Sequence, residues 1–163
     1  MREVPGEPRG RSLSRMLGHP LHPAIAHLPM GLLVSVAVWD LAAMVLQDSV
    51  WWTVSFWSLA LGTAAALPTS LTGLFDFVRI AKASDAETIA RRHMFAALAA
   101  VACYGTSLVL RGGPNAPPDA YGFGIGFAYV GLGFLMVAGW LGGNLVFSHG
   151  IGAEHWRSGA KQM

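Results

Sequence analysis

Residues 24–46 read AIAHLPMGLLVSVAVWDLAAMVL, a run of apolar side chains interrupted by one acid, Asp40. A helix needs about 20 mostly apolar residues to cross roughly 30 Å of hydrocarbon. The run is therefore long enough to span a bilayer, and it is too long for the apolar region of a secretory signal. Three more apolar segments follow, at about 50–75, 93–110 and 121–147. In lipid the backbone must satisfy its own hydrogen bonds, by helix or by closed barrel. Barrel strands alternate in polarity over about 10 residues, and no such alternation is present. The expectation is an all-α integral membrane four-helix bundle.

Composition agrees. The 163 residues are 53% hydrophobic and 12% charged, about half the charge of a soluble domain. Too little polar surface remains to coat a water-soluble globule of this size. A net charge of +2 gives no reason to expect nucleic acid as a partner; the lipid bilayer is the expected one. The single cysteine, Cys103, excludes an intramolecular disulfide and a CxxC pair. No P-loop, dinucleotide fingerprint, GxSxG or HExxH is present, so nothing marks a stand-alone enzyme.

The connections set the ends and the orientation. Residues 1–18 form a basic tail rich in Pro and Gly, expected to be flexible. The membrane domain covers 19–152, and 153–163 form a second tail. Gln47–Ser49 makes a tight turn, and RGGPNAPPDA (111–120) a short loop. Ser84-Asp85-Ala86-Glu87 has the form of a capping box, which starts the third helix near Asp85. The helices are then expected at about 24–46, 50–75, 85–111 and 121–147. Ten Lys and Arg residues lie in the two tails and the 75–92 connection, against Arg111 alone in the other loops. The positive-inside rule puts both termini in the cytoplasm. Trp51, Trp52 and Tyr121 are expected at the outer interface. Gly122/Gly126 and Gly139/Gly143 form GxxxG pairs, expected to pack within the bundle.

This topology brings every histidine to one side. His19, His22 and His27 open the first segment, His93 the third, and His149 and His155 follow the fourth. His27, His93 and His149 can therefore meet although distant in sequence. At about 100° per residue, the face of His149 carries Gly142, Ala138 and Gly131, and that of His93 carries Ala96, Ala97 and Ala100. Strips of small side chains leave room for a helix or a flat cofactor. Neutral imidazole is a common metal ligand, and ionisable groups at membrane depth tend to mark sites. The candidate cofactor ligands are His27, His93 and His149, with His22 added for a metal ion. Asp76 could orient a histidine N–H or pair with Arg79, Arg91 or Arg92. Asp40, about 20 Å along the helix from His27, either snorkels outward or pairs with Arg111.

HPLHPAIAHLPMGL (19–32), GLFDFVRI (73–80), ARRHM (90–94) and LGGNLVFSHGIG (141–152) together resemble the bacterial membrane family called domain of unknown function 2231. The likeness covers roughly residues 18–152. It implies four membrane helices whose motif histidines correspond to His19, His22, His27, His93 and His149. Many relatives carry an Asn shortly after the third-segment histidine, where this chain has Ala97 and Ala100. The resemblance implies no activity.

Three functions follow as expectations. Two of the histidines ligate a b-type haem, or three hold a transition-metal ion, for electron transfer or redox sensing with a membrane redox partner. Alternatively the protein is a non-catalytic membrane subunit or assembly partner, able to form a homo-oligomer. In the third, it is a small transporter or proton-passage component.

Overall fold

The computed structural model describes residues 15–16, 19–78, 80, 82, 84–114 and 121–151. Apart from Arg15–Met16, the two expected tails lie outside the described residues. A two-residue antiparallel pairing of β1 (Arg15–Met16) with β2 (His19–Pro20) precedes four helices. These are α1 (Leu21–Leu46), α2 (Ser49–Phe77), α3 (Asp85–Arg111) and α4 (Tyr121–Phe147). Each is long and apolar enough to cross a membrane, at roughly 40 Å for 27 residues.

Local chemistry sets the ends. Ser84 caps α3, its Oγ accepting the Glu87 N–H at 3.1 Å, with Asp85 and Glu87 in the first turn where acids suit the helix dipole. Gly112, at φ 69°, ends α3 in the left-handed conformation that glycine adopts freely. Between α1 and α2 the Gln47 N–H bonds back to the Ala43 carbonyl at 3.0 Å, and Asp48 caps α2 by accepting the Val50 N–H at 3.0 Å. α1 begins at Leu21, three residues before the apolar run. Pro23 falls in its first turn, where an N–H has no helical acceptor anyway.

The helices pack closely as two hairpins, α1 on α2 and α3 on α4, and sparsely between hairpins, α2 on α3 and α1 on α4. This makes a ring in which α1 and α3 stand diagonally opposed. The centre holds Leu33, Val36, Leu59, Ala100, Tyr104 and Ala128. Phe123, Trp140 and Phe147 are 84%, 79% and 89% exposed, while Asp40, Ser55, Ser107 and Arg111 are fully buried. Large apolar groups outside and polar groups inside invert the soluble pattern, as a lipid environment requires.

Two expectations are corrected. The GxxxG glycines do not pack within the bundle: Gly122, Gly126 and Gly139 have no neighbour where a Cβ would stand. Other glycines do admit a neighbour, among them Gly62, whose Cβ would lie 2.8 Å from Leu33, and Gly131, 3.2 Å from Tyr104. Burial follows the helix face turned to the centre, and the GxxxG pairs lie off that face. Trp52 and Tyr121 are likewise buried, with ring centroids 5.0 Å apart, instead of sitting at the lipid interface. The Tyr121 hydroxyl donates to the Gly113 carbonyl at 2.7 Å, and its ring lies 5.4 Å from the Arg111 guanidinium. Both need a partner that lipid cannot supply.

Candidate functional site

His22 is the second residue of α1, and His93 lies two turns into α3. Each ring is held by the other helix of its own hairpin. The His22 Nδ1–H donates to the Thr69 carbonyl of α2 at 3.0 Å, with the Thr72 hydroxyl at 3.3 Å. The His93 Nδ1–H donates to the Ala138 carbonyl of α4 at 2.8 Å. A carbonyl can only accept, so each Nδ1 carries a proton; in the neutral ring the Nε2 then keeps the lone pair. Glycines make room for both rings. A Cβ on Gly73 would lie 2.9 Å from His22 Cε1, and one on Gly142 would lie 3.2 Å from His93 Cε1.

The two rings meet across the sparse seam between hairpins, with centroids 6.5 Å apart and planes at 84°. Two imidazoles on opposite sides of one metal, bonded at about 2.0–2.1 Å with each ring centre about 1.1 Å beyond its nitrogen, would stand roughly 6.3 Å apart, whereas in a tetrahedral site they would stand about 5.1 Å apart. Metal-bound histidines characteristically donate their other N–H to a carbonyl or carboxylate, which fixes tautomer and orientation. Here each Nδ1 donates to a backbone carbonyl, a partner of that kind.

The remaining candidates stand elsewhere. His27 is exposed on α1, His149 is half-buried in the turn after α4, and Asp76 is half-buried in the last turn of α2. Among the described residues, no three His, Cys, Asp or Glu side chains gather as a metal-holding group. The small strip Gly131, Ala138 and Gly142 is in place on α4. What it receives is His93 and Tyr104 from α3, because α4's inner face turns toward its hairpin partner.

A second polar cluster occupies the opposite end of the bundle. Asp40 pairs with Arg111, one of the two destinations read for it. Arg111 Nη1 and Nη2 reach Asp40 Oδ1 and Oδ2 at 2.8 and 2.6 Å, and both side chains are fully buried. Ser55 Oγ donates to Asp40 Oδ1 at 2.5 Å and accepts from Arg111 Nη1 at 2.9 Å. Arg111 Nε donates to Ser107 Oγ at 3.2 Å, and Ser107 donates to the Gly124 carbonyl at 2.6 Å. Sequence reasoning missed both serines. The available signal was Ser107, one turn before Arg111 and so on its face.

A family model described as "Predicted membrane protein (DUF2231)" matches residues 18–155. No curated protein and no solved structure matches the chain.

Proposed function

We propose, for a chain that belongs to the DUF2231 family of predicted membrane proteins, that His22 and His93 hold a redox-active metal centre. The centre is a b-type haem or a single transition-metal ion, used for one-electron transfer or redox sensing. The observation that carries this reading is the facing pair itself. Two imidazoles, each anchored through Nδ1 to a backbone carbonyl, lie 6.5 Å apart across the seam between hairpins. No hydrogen bond is made by either Nε2 among the described residues, so the lone pairs are available to a ligand.

The site lies on the side of the membrane to which the positive-inside rule assigns the cytoplasm, in a bacterial inner membrane. Arg111, the one basic residue counted against that orientation, is buried in an ion pair inside the bundle. The test is a visible spectrum of the protein purified in mild detergent, with and without dithionite, together with a metal assay. The expected result is a Soret band that shifts on reduction, or one equivalent of a transition metal. Neither a Soret band nor stoichiometric metal would sink the reading and return the choice to a non-catalytic subunit or a transporter.

A further inference from the structure

Equivalent contacts recur in the two hairpins, at one offset for the first helix of each and another for the second. In the first, Gly73 admits His22, Gly62 admits Leu33, and Ser55 bonds Asp40. In the second, Gly142 admits His93, Gly131 admits Tyr104, and Gly124 admits Arg111, whose Cγ lies 3.0 Å from where its Cβ would stand. Each α3 residue stands 71 positions after its α1 counterpart, and each α4 residue 69 after its α2 counterpart. The backbone acceptors of the two histidines, Thr69 and Ala138, obey the same offset.

Across the bundle these counterparts meet one another. His22 faces His93. The Tyr104 hydroxyl donates to the Leu33 carbonyl at 3.2 Å. Asp40 binds Arg111. On α1 the three positions are 11 and 7 residues apart, about three and two turns, so they line one face. Residues that touch their own counterparts lie on a two-fold axis. It runs along the bundle, because α1 and α3 cross in the same sense. Parallel repeats about an axis along the membrane normal are a known plan for membrane proteins.

We infer that α1–α2 and α3–α4 are two copies of one hairpin, and that the axis carries a haem iron held equivalently by His22 and His93 as its two axial ligands. This inference rests on the proposed function and narrows it from a metal centre to a haem. The chemistry of the donor set favours haem over a bare ion. Zinc takes four ligands, and among the described residues no third donor joins the two histidines. A porphyrin brings four nitrogens of its own and asks the protein for two axial groups at most. A flat ring would enter along this seam, where the two hairpins pack most sparsely against each other.

The experiment uses the full-length protein purified in detergent, with His22→Gly, His93→Gly, His27→Gly and His149→Gly variants. The wild type is expected to give a low-spin six-coordinate spectrum. Its ferric paramagnetic resonance signal should be the strongly anisotropic, large-gmax type that perpendicular imidazole planes produce, given the 84° between the rings. His22→Gly and His93→Gly should each turn the iron high-spin to the same extent, and each should be restored by added imidazole, which also shows that the variant has folded. The His27 and His149 variants should keep the wild-type spectrum. If one of the axial variants loses the low-spin signal and the other keeps it, the residue whose variant keeps it is no ligand, and both the equivalence and the paired-histidine reading fail. A stoichiometric metal without porphyrin overturns this inference alone. A wild-type protein with neither overturns both.

Discussion

Removing Arg111 tests the architecture at its most charged point. In Arg111→Met, Asp40 loses two donors at 2.6 and 2.8 Å and keeps one hydroxyl, from Ser55, at a site with no exposure. Two unit charges 4 Å apart interact by about 4 kcal/mol at an effective dielectric constant of 20. Breaking a buried pair from one side typically costs about 3–5 kcal/mol. A carboxylate left alone can take up a proton, whereas a guanidinium cannot shed one. The loss should therefore be near 3 kcal/mol for Arg111→Met and nearer 5 kcal/mol for Asp40→Leu on that scale. The double variant removes both charges and strands only the Ser55 hydroxyl, so it should lose about 1–2 kcal/mol, less than either single change. The assay is reversible unfolding in mixed micelles by added SDS, followed by tryptophan fluorescence. Trp52 reports directly, since it packs on Tyr121, which lies over Arg111. A single variant that loses under about 1 kcal/mol, or a double variant equal to the sum of the singles, refutes the reasoning.

Three further outcomes are expected. Gly62→Ala forces a methyl to 2.8 Å from Leu33 and should cost about 1–3 kcal/mol in the same assay, whereas Gly126→Ala, which meets nothing, should stay within about 0.5 kcal/mol. Gly142→Val displaces His93 from the Ala138 carbonyl; the reduced-minus-oxidised absorbance should fall several-fold in protein whose unfolding midpoint changes little, and full absorbance would contradict the site's construction. A reporter active only in the cytoplasm should be active when fused at residue 163 and inactive when fused after residue 115; the reverse pattern would invert the orientation.

The spans were legible because hydrophobic length is a local property, and so is the Ser84 cap. The sequence offers His22 as one of four candidate histidines without singling it out, although the signal exists. His22 and Asp40 are 18 residues apart, five whole turns, and so share a face; His27 stands about 140° away from that face. Phase against Asp40 would have selected His22, but Asp40 marks the inner face only once its pairing with Arg111 is known. The strip on α4 leaves room for a neighbouring helix or a flat cofactor, and it takes side chains of α3; helical phase fixes a face without naming the helix it meets. The repeat was hidden for a simpler reason. Most counterparts differ in identity, and the offset changes from 71 to 69 between helices, so that the match breaks in the middle.

The three axial pairs have diverged unequally. Leu33 faces Tyr104 and Asp40 faces Arg111, yet His22 faces another histidine. At the charged end, divergence has a physical effect. Two first hairpins would oppose Asp40 with Asp40, and two second hairpins Arg111 with Arg111, each an unpaired like-charge contact where water is absent. Only one of each closes the pair, so the charges specify association of the two hairpins within a chain. The accompanying changes fit this, since Ser55 gives the carboxylate a hydroxyl where Gly124 clears space for the longer arginine. Nothing in helix packing demands the opposite outcome at the other end. Two imidazoles contribute little apolar contact to each other, and an alanine or leucine in either place would fill the seam more simply. Identical side chains, with identical Nδ1 anchors and a glycine behind each, are what the proposed haem, gripped from both hairpins at once, would impose.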